Sequence, residues 1–420
     1  MRSHGLLTAT ILMSAAWSQE AGEPGGPGLA ILARKALVCE LEGRVAVDNS
    51  VILIEDGKIA AVGGRRELDI PEGYEVLDVG DNWVAPGLID LHNHTGASLG
   101  DLNDMVFLTN PGIRASAGAV PDNPTQKLAL AAGVSSVLTI PGSGTNMGGQ
   151  GVLMRTGLDG YEENLLRDPG SLKLAQAGNP ERRAPWFPRR SFMNYNTRNT
   201  FRRGVAYARS WEEFEAGKTS ERPEKDLQFE IFRSLTSEET QISTHTQIYQ
   251  VVLMTITMVR EEFGLPVYID HGTFDGFRAG EKAEENGVAA ILGPRAIQVS
   301  GFIDLDGRIQ GVAAGYQERG VSRIGFNTDA PVIPQQELIV QAAMGVHYGF
   351  DDSEGDAVRG LTIVPATTAG LGDRLGSIEV GKDADLIICT GYPVDPRTAV
   401  EMVFQRGFKV YDTKEEKRRW

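Results

Sequence analysis

Histidine is scarce in this chain, six in 420 residues, yet two of them stand in the tripeptide His92-Asn93-His94. They follow an apolar run, Val84-Ala-Pro-Gly-Leu-Ile-Asp-Leu91, with the make-up of a strand. Side chains alternate along a strand, so His92 and His94 point to one side while Asn93 turns away. Two imidazoles converging at a strand end can share one divalent cation. Held by imidazoles and a carboxylate with one position open, such an ion lowers the pKa of a water from about 16 toward about 7 and polarises a carbonyl oxygen. The bland alternative is a pair of polar residues where a strand leaves the core. Three more short runs end in residues of the same chemical kind: Ile-Ser-Thr-His245, Tyr-Ile-Asp-His271 and Gly-Phe-Asn-Thr-Asp329. A carboxylate at Asp329 can ligate the ion, take a proton from the water and hand it to a leaving nitrogen. Each also has a structural reading: His245 and His271 as hydrogen-bonded core histidines, Asp329 as a turn cap.

Positioning these residues falls to a middle region in which strand and helix patterns alternate, the signature of an α/β fold. Strands are expected at 88–92, 134–140, 152–155, 171–175, 241–245, 267–271, 289–292 and 323–327. Helical spacing of apolar residues marks 124–132, 247–263, 274–286 and 334–346, and residues 97–123 read as loop. Eight strands suit a parallel (β/α)8 barrel, whose functional side chains sit at the C-terminal strand ends. Those ends hold His92 and His94 (first), Lys173 (fourth), His245 (fifth), His271 (sixth) and Asp329 (eighth). His347 ends a helical segment and receives no role. Short alternating strands before residue 80, with a hairpin signal at Asp56-Gly57, are answered by strands at 384–389 and 400–411.

The stretch Pro86-Gly-Leu-Ile-Asp-Leu-His-Asn-His94 resembles the first-strand signature of the amidohydrolase superfamily. Gly376-Ser-Ile-Glu-Val-Gly-Lys-Asp-Ala-Asp-Leu386, with Asp395-Pro-Arg397, resembles that superfamily's C-terminal signature. The likeness is nearest to imidazolonepropionase-like and secreted peptidase-like members. It implies a (β/α)8 TIM-like barrel over residues 84–375, beside a small β-sandwich made from 29–83 with 376–420. It implies one or two divalent ions, zinc foremost, although histidine-carboxylate sites also accept iron, manganese or cobalt. Its ligand set maps onto His92, His94, His245, His271 and Asp329, with Lys173 bridging two ions if carboxylated. Otherwise Lys173 belongs to a salt bridge or to substrate binding. Asp329 takes the role of proton shuttle, and His271 holds a second ion or the carbonyl oxygen as it gains charge. The reaction expected is hydrolysis of a C–N bond, an amide in a peptide-like or cyclic substrate. Lactone or phosphoester hydrolysis at the same site is the alternative, and a non-catalytic binding protein a more distant one.

Two segments depart from the plain barrel. Pro141-Gly-Ser-Gly-Thr-Asn-Met-Gly-Gly-Gln150 follows the second strand, either to approach a substrate anion with its amides or as a tight structural loop. Residues 178–238 form an insertion with Arg182, Arg183, Arg189, Arg190, Arg198, Arg202, Arg203 and Arg209 among Trp186, Phe187, Phe192, Tyr195, Tyr207 and Trp211. It reads as an anion-binding lid or as a helical excursion whose arginines pair with surface acids. The net charge of −15 argues against nucleic acid and anionic membranes as partners. A small-molecule or peptide substrate is the partner expected, and assembly into a homo-oligomer stays open. Arg2 ahead of the apolar residues 5–17 reads as a secretory signal over 1–18, followed by a Gly/Pro-rich leader at 19–28. That places the mature protein in the periplasm or outside the cell. Cys39 and Cys389 either pair or stay as buried thiols.

Overall fold

The computed structural model describes residues 28–97, 102, 104–182, 187–298 and 305–420. The expected signal and nearly all of the leader, with Arg183 and Trp186 of the insertion, lie outside the described residues. Eight strands form one sheet that curls into a barrel: Leu88–Asn93, Val134–Thr139, Met147–Arg155, Leu165–Ala175, Ile242–Thr246, Val267–His271, Ala290–Leu292 and Ile324–Phe326, each hydrogen-bonded to the next. Contacts from Asn93 and His94 to Ala330 bring the two ends of the sheet together.

One feature of the expected barrel is corrected. The third strand runs antiparallel to both neighbours, so the sheet is not uniformly parallel. The cause is local. A parallel crossover needs about a dozen residues or more, and the link from Thr139 to Met147 is shorter than that, so the chain can only turn back. The last four of the ten residues of the glycine-rich segment, Met147 to Gln150, are therefore strand rather than loop. The helical segments lie where periodicity places them, but several are composite. Tyr249–Thr255 continues as a π-helical stretch, Ile256–Glu262, and Leu338–His347 is preceded by a 3-10 turn, Gln335–Glu337.

The two ends of the chain meet in a second eight-stranded sheet. Trp83–Pro86 pairs with Leu386–Cys389 on one side and with Leu29–Leu37 on the other. Alternation sorts the residues of Leu29–Leu37: Ile31 and Ala33 join one apolar cluster, Ala30 the cluster on the opposite face. Trp83–Pro86 runs into the first barrel strand through Gly87, where a β-carbon would lie 2.1 Å from Ser135 Oγ, so only glycine permits this close passage. A buried guanidinium ties sheet to barrel. Arg155 Nε donates to Asp385 at 2.7 Å and its Nη2 to Asp383 at 2.6 Å, both within the C-terminal signature. Cys39 and Cys389 are buried free thiols in one apolar cluster, with burial pushing the Cys39 thiol up to about 12.

The insertion is a helical excursion. Its main helix, Arg190–Glu215, spans 26 residues and buries Phe201 between Phe232 and Phe263, with ring centroids 5.5 and 5.7 Å away. Burial of that one ring contributes roughly 1.5–3 kcal/mol. Arg198 pairs with Glu262, Arg190 with Glu181, and Arg203 lies over the Phe229 ring.

Candidate active site

The strand ends bring His92, His94, Lys173, His245, His271 and Asp329 into one cluster. His92 Nε2 lies 3.1 Å from His94 Nε2 and 3.1 Å from Asp329 Oδ1, and His94 Nε2 lies 3.3 Å from the same oxygen. Lys173 Nζ approaches His92 Nε2 to 3.2 Å. On the other flank His245 Nδ1 and His271 Nε2 are 2.8 Å apart. The His271 ring centroid lies 4.4 Å from that of His92, so the two flanks are continuous. His347 ends its helix against Tyr348 and takes no part.

The opposite ring nitrogens set the tautomers. His92 Nδ1 donates to Asp270 Oδ2 at 2.6 Å, His94 Nδ1 to the Ile140 carbonyl at 2.8 Å, and His271 Nδ1 to the Gly293 carbonyl at 2.9 Å. A neutral imidazole with its proton on Nδ1 presents a lone pair at Nε2. Two such lone pairs, from His92 and His94, therefore meet a carboxylate oxygen at hydrogen-bond distance. Three acceptors facing one another repel unless a positive charge, a proton on His92 or a metal ion, sits among them. This donor set fits a divalent metal, with each imidazole oriented from behind as metal-binding histidines are. A second group of potential ligands, His92, Asp270 and His271, overlaps the first. Asp270 is better placed as an orienting residue, since its carboxylate is already engaged by His92 Nδ1 and, at 3.2 Å, by the Asn327 amide.

Electrostatics divides the histidines. Burial holds His94 below its usual pKa and His245 well below it, and pushes His271 down to about 4, helped by the His92 charge. These rings stay neutral, as ligation requires. At His92 burial is outweighed by the Asp270 and Asp329 carboxylates, which hold its pKa up. Those imidazoles in turn hold Asp329 far below the carboxylate range against its own burial. Lys173 is fully buried, and desolvation lowers its ammonium pKa. A lowered pKa exposes the free amine that carboxylation needs.

Asp270 and Ser143 are absent from the strand-end reading. Ser143, in the glycine-rich connection, lies with Oγ 2.8 Å from His245 Nδ1. Asp270 had a signal, being a carboxylate inside a strand, where charge is rare unless paired. Alternation hid its partnership with His271. Tyr268 joins the barrel-interior cluster, while Val267 and Ile269 face the helices, which sends Asp270 inward and His271 away. His271 escapes by adopting φ of 75°, and Asp329 likewise sits at φ of 51°. Left-handed backbone at two non-glycine site residues is strain of the kind that functional sites hold. The insertion docks on this face too: Asn146 Oδ1 accepts from Asn196 at 2.7 Å and from Thr197 at 3.2 Å.

Comparison with known proteins agrees with this geometry. The amidohydrolase family model matches residues 252–413. A crystal structure of an amidohydrolase from Thermotoga maritima MSB8 superposes with a TM-score of 0.77 at 30% identity, covering 91% of this chain and 100% of that one. The chain belongs to the amidohydrolase family. Two curated relatives share sequence with this family member. The amidohydrolase tasK of Hapsidospora irregularis is 25% identical over 398 residues, 86% of this chain, which spans 40% of that protein's length. The imidazolonepropionase of Agrobacterium fabrum is 39% identical over 56 residues, 13% of each chain. Family membership makes the chain a hydrolase by class, of a family that is typically metal-dependent, and the His/Asp cluster contains groups that could hold a metal ion.

Proposed function

We propose that this hydrolase uses a divalent metal, zinc or a similar ion, to cleave a C–N bond in a peptide-like or cyclic amide. The observation that carries the reading is the convergence of His92 Nε2, His94 Nε2 and Asp329 Oδ1 within 3.3 Å, with the outer nitrogen of each imidazole already engaged. His92, His94 and Asp329 would hold one ion. His245 and His271 would hold a second, with Lys173 between them as its carbamate. Bound there, a divalent ion supplies an acidified water and polarises the carbonyl. Asp329 reaches the cluster from the eighth strand with Oδ1 3.1 Å from His92 Nε2 and 3.3 Å from His94 Nε2, so its carboxylate would be placed to take the proton of the attacking water and return it to the departing nitrogen. Asp270 keeps the His92 ring in place throughout. Lactone and phosphoester hydrolysis use the same parts, so bond type is read from turnover.

The test pairs metal content with turnover. Purified without chelators, wild type is expected to carry one or two divalent ions per chain, and Lys173→Ala fewer. It is expected to hydrolyse amides ahead of matched lactones and phosphoesters. A chain that carries no metal and takes up no zinc would overturn the reading. We propose in addition that residues 1–18 export the protein. Recovery of a mature chain starting near residue 19 from a periplasmic or culture fraction supports this, and an intact cytoplasmic chain refutes it.

A further inference from the structure

We propose that a cavity between the inserted helix and the helix that follows His245 is a substrate subsite that recognises a carboxylate through Arg190. The proposal rests on the hydrolase reading for one thing only, that the molecule bound there is the substrate. The cavity measures about 340 Å³, the size class of small-ligand pockets, and is lined by Gln176, Arg190, Asn194, Val251 and Met254 among others. Its position is set by register. Gln176 directly follows Ala175, which is paired with His245 across the fourth and fifth strands. Val251 and Met254 belong to the helical segment that follows His245. A β-carbon on Gly178 would lie 3.6 Å from His245 Nε2, so the segment leading into the insertion brushes the active-site ring.

The charge of this pocket is one-sided. Among the described residues that line it, Arg190 is the single ionic one and none is an acid. Glu181 meets Arg190 from outside, through Nε at 3.3 Å. The other Glu181 oxygen accepts the Gly178 amide at 3.0 Å, so the guanidinium is anchored to the same segment that passes His245. An ion pair through Nε leaves the Nη groups as donors, and a guanidinium fork matches a carboxylate with two parallel hydrogen bonds. Met254 and Val251 add an apolar wall. An amide substrate bearing both a carboxylate and an apolar side chain, such as an N-acyl amino acid or a dipeptide, meets these requirements. The insertion then serves as a specificity element, and its docking through Asn196 and Thr197 onto Asn146 fastens the helix that begins at Arg190 to the connection after the second strand.

The test is a binding titration of the full chain with 4-methylpentanoate and, as neutral match, 4-methylpentan-1-ol, in wild type, Arg190→Met and Arg190→Lys. A charge-assisted pair predicts about tenfold or greater preference for the carboxylate in wild type. Arg190→Met is expected to abolish that preference, and Arg190→Lys to retain part of it, since lysine supplies charge without the fork. Unchanged circular dichroism establishes that each variant is folded. A carboxylate preference that survives Arg190→Met places the anion elsewhere, on the metal ligands, and overturns the proposal; so does the absence of any preference in wild type. Binding needs no turnover, which separates the two readings. Arg190-dependent binding without amide hydrolysis sinks the hydrolase reading and keeps the subsite. Amide hydrolysis indifferent to a substrate carboxylate does the reverse.

Discussion

Replacing Arg155 by methionine is expected to be among the most damaging single changes in the chain, although it lies far from the histidines. Arg155 is 2% exposed and ends the third strand opposite Ser136, whereas Met147, at the other end of that strand, pairs with Leu174 near the site. Its loss strands two carboxylates unequally. Asp383 keeps Lys58 at 2.8 Å and Arg374 at 3.0 Å, but Asp385 keeps only the Arg406 amide at 2.8 Å. Removing one partner of a buried ion pair costs about 3–5 kcal/mol, most of it the penalty of the charge left behind. One orphan rather than two puts the expected cost near the lower end, about 3 kcal/mol, out of a total stability of roughly 5–15 kcal/mol. Denaturant unfolding followed by tryptophan fluorescence reads it. The double variant Arg155→Met with Asp385→Asn removes the orphan charge and is expected to recover much of the loss. Metal content should not change in either. An Arg155→Met chain within about 1 kcal/mol of wild type, or a double variant no better than the single, would refute the argument that these buried charges join sheet to barrel.

The same network predicts a pH dependence. Burial works against ionisation of Asp383, yet Lys58, Arg155 and Arg374 win and lower its pKa from 3.8 to about 2. A depressed carboxylate stabilises the fold above its unfolded pKa, so this contribution is complete above about pH 4 and fades as pH falls toward about 2. Unfolding midpoints measured across that window should decline in wild type and less steeply in Asp383→Asn. Asp270→Asn leaves the proposed ligands in place but frees the His92 ring, and if the cluster holds a metal about a 10–100-fold loss of metal affinity is expected in a chelator competition; an unchanged affinity returns Asp270 to a purely structural role. Asn146→Ala removes the acceptor for Asn196 and Thr197, a loss of about 1–3 kcal/mol in docking the insertion. Faster amide exchange over Arg190–Glu215, with exchange in the barrel strands unchanged, is the expected result.

How much of this protein is legible in its sequence follows from the range of each interaction. Strand and helix periods are local, so the eight barrel strands, the principal helices and the histidines at the strand ends can be read from the residues in order. Even the reversed third strand was available, because the Thr139 to Met147 link is too short to cross over, though the alternation of elements suggested a parallel one. Other features depend on how distant segments register against one another. The hydrogen bonds from Arg155 to Asp383 and Asp385 span 228 and 230 residues, and no local pattern announces them. The arginine-rich insertion looks like a lid or an excursion until Asn146 is seen to hold it at the mouth. Asp270 and His271 are neighbours that alternation separates, and a positive φ at His271, imposed by its surroundings, lets both serve one site. Residue types and their local period therefore determined the chemistry on offer. Which atoms meet was decided by tertiary packing alone, because only closure of the barrel brings strands from both ends of the chain within hydrogen-bond distance.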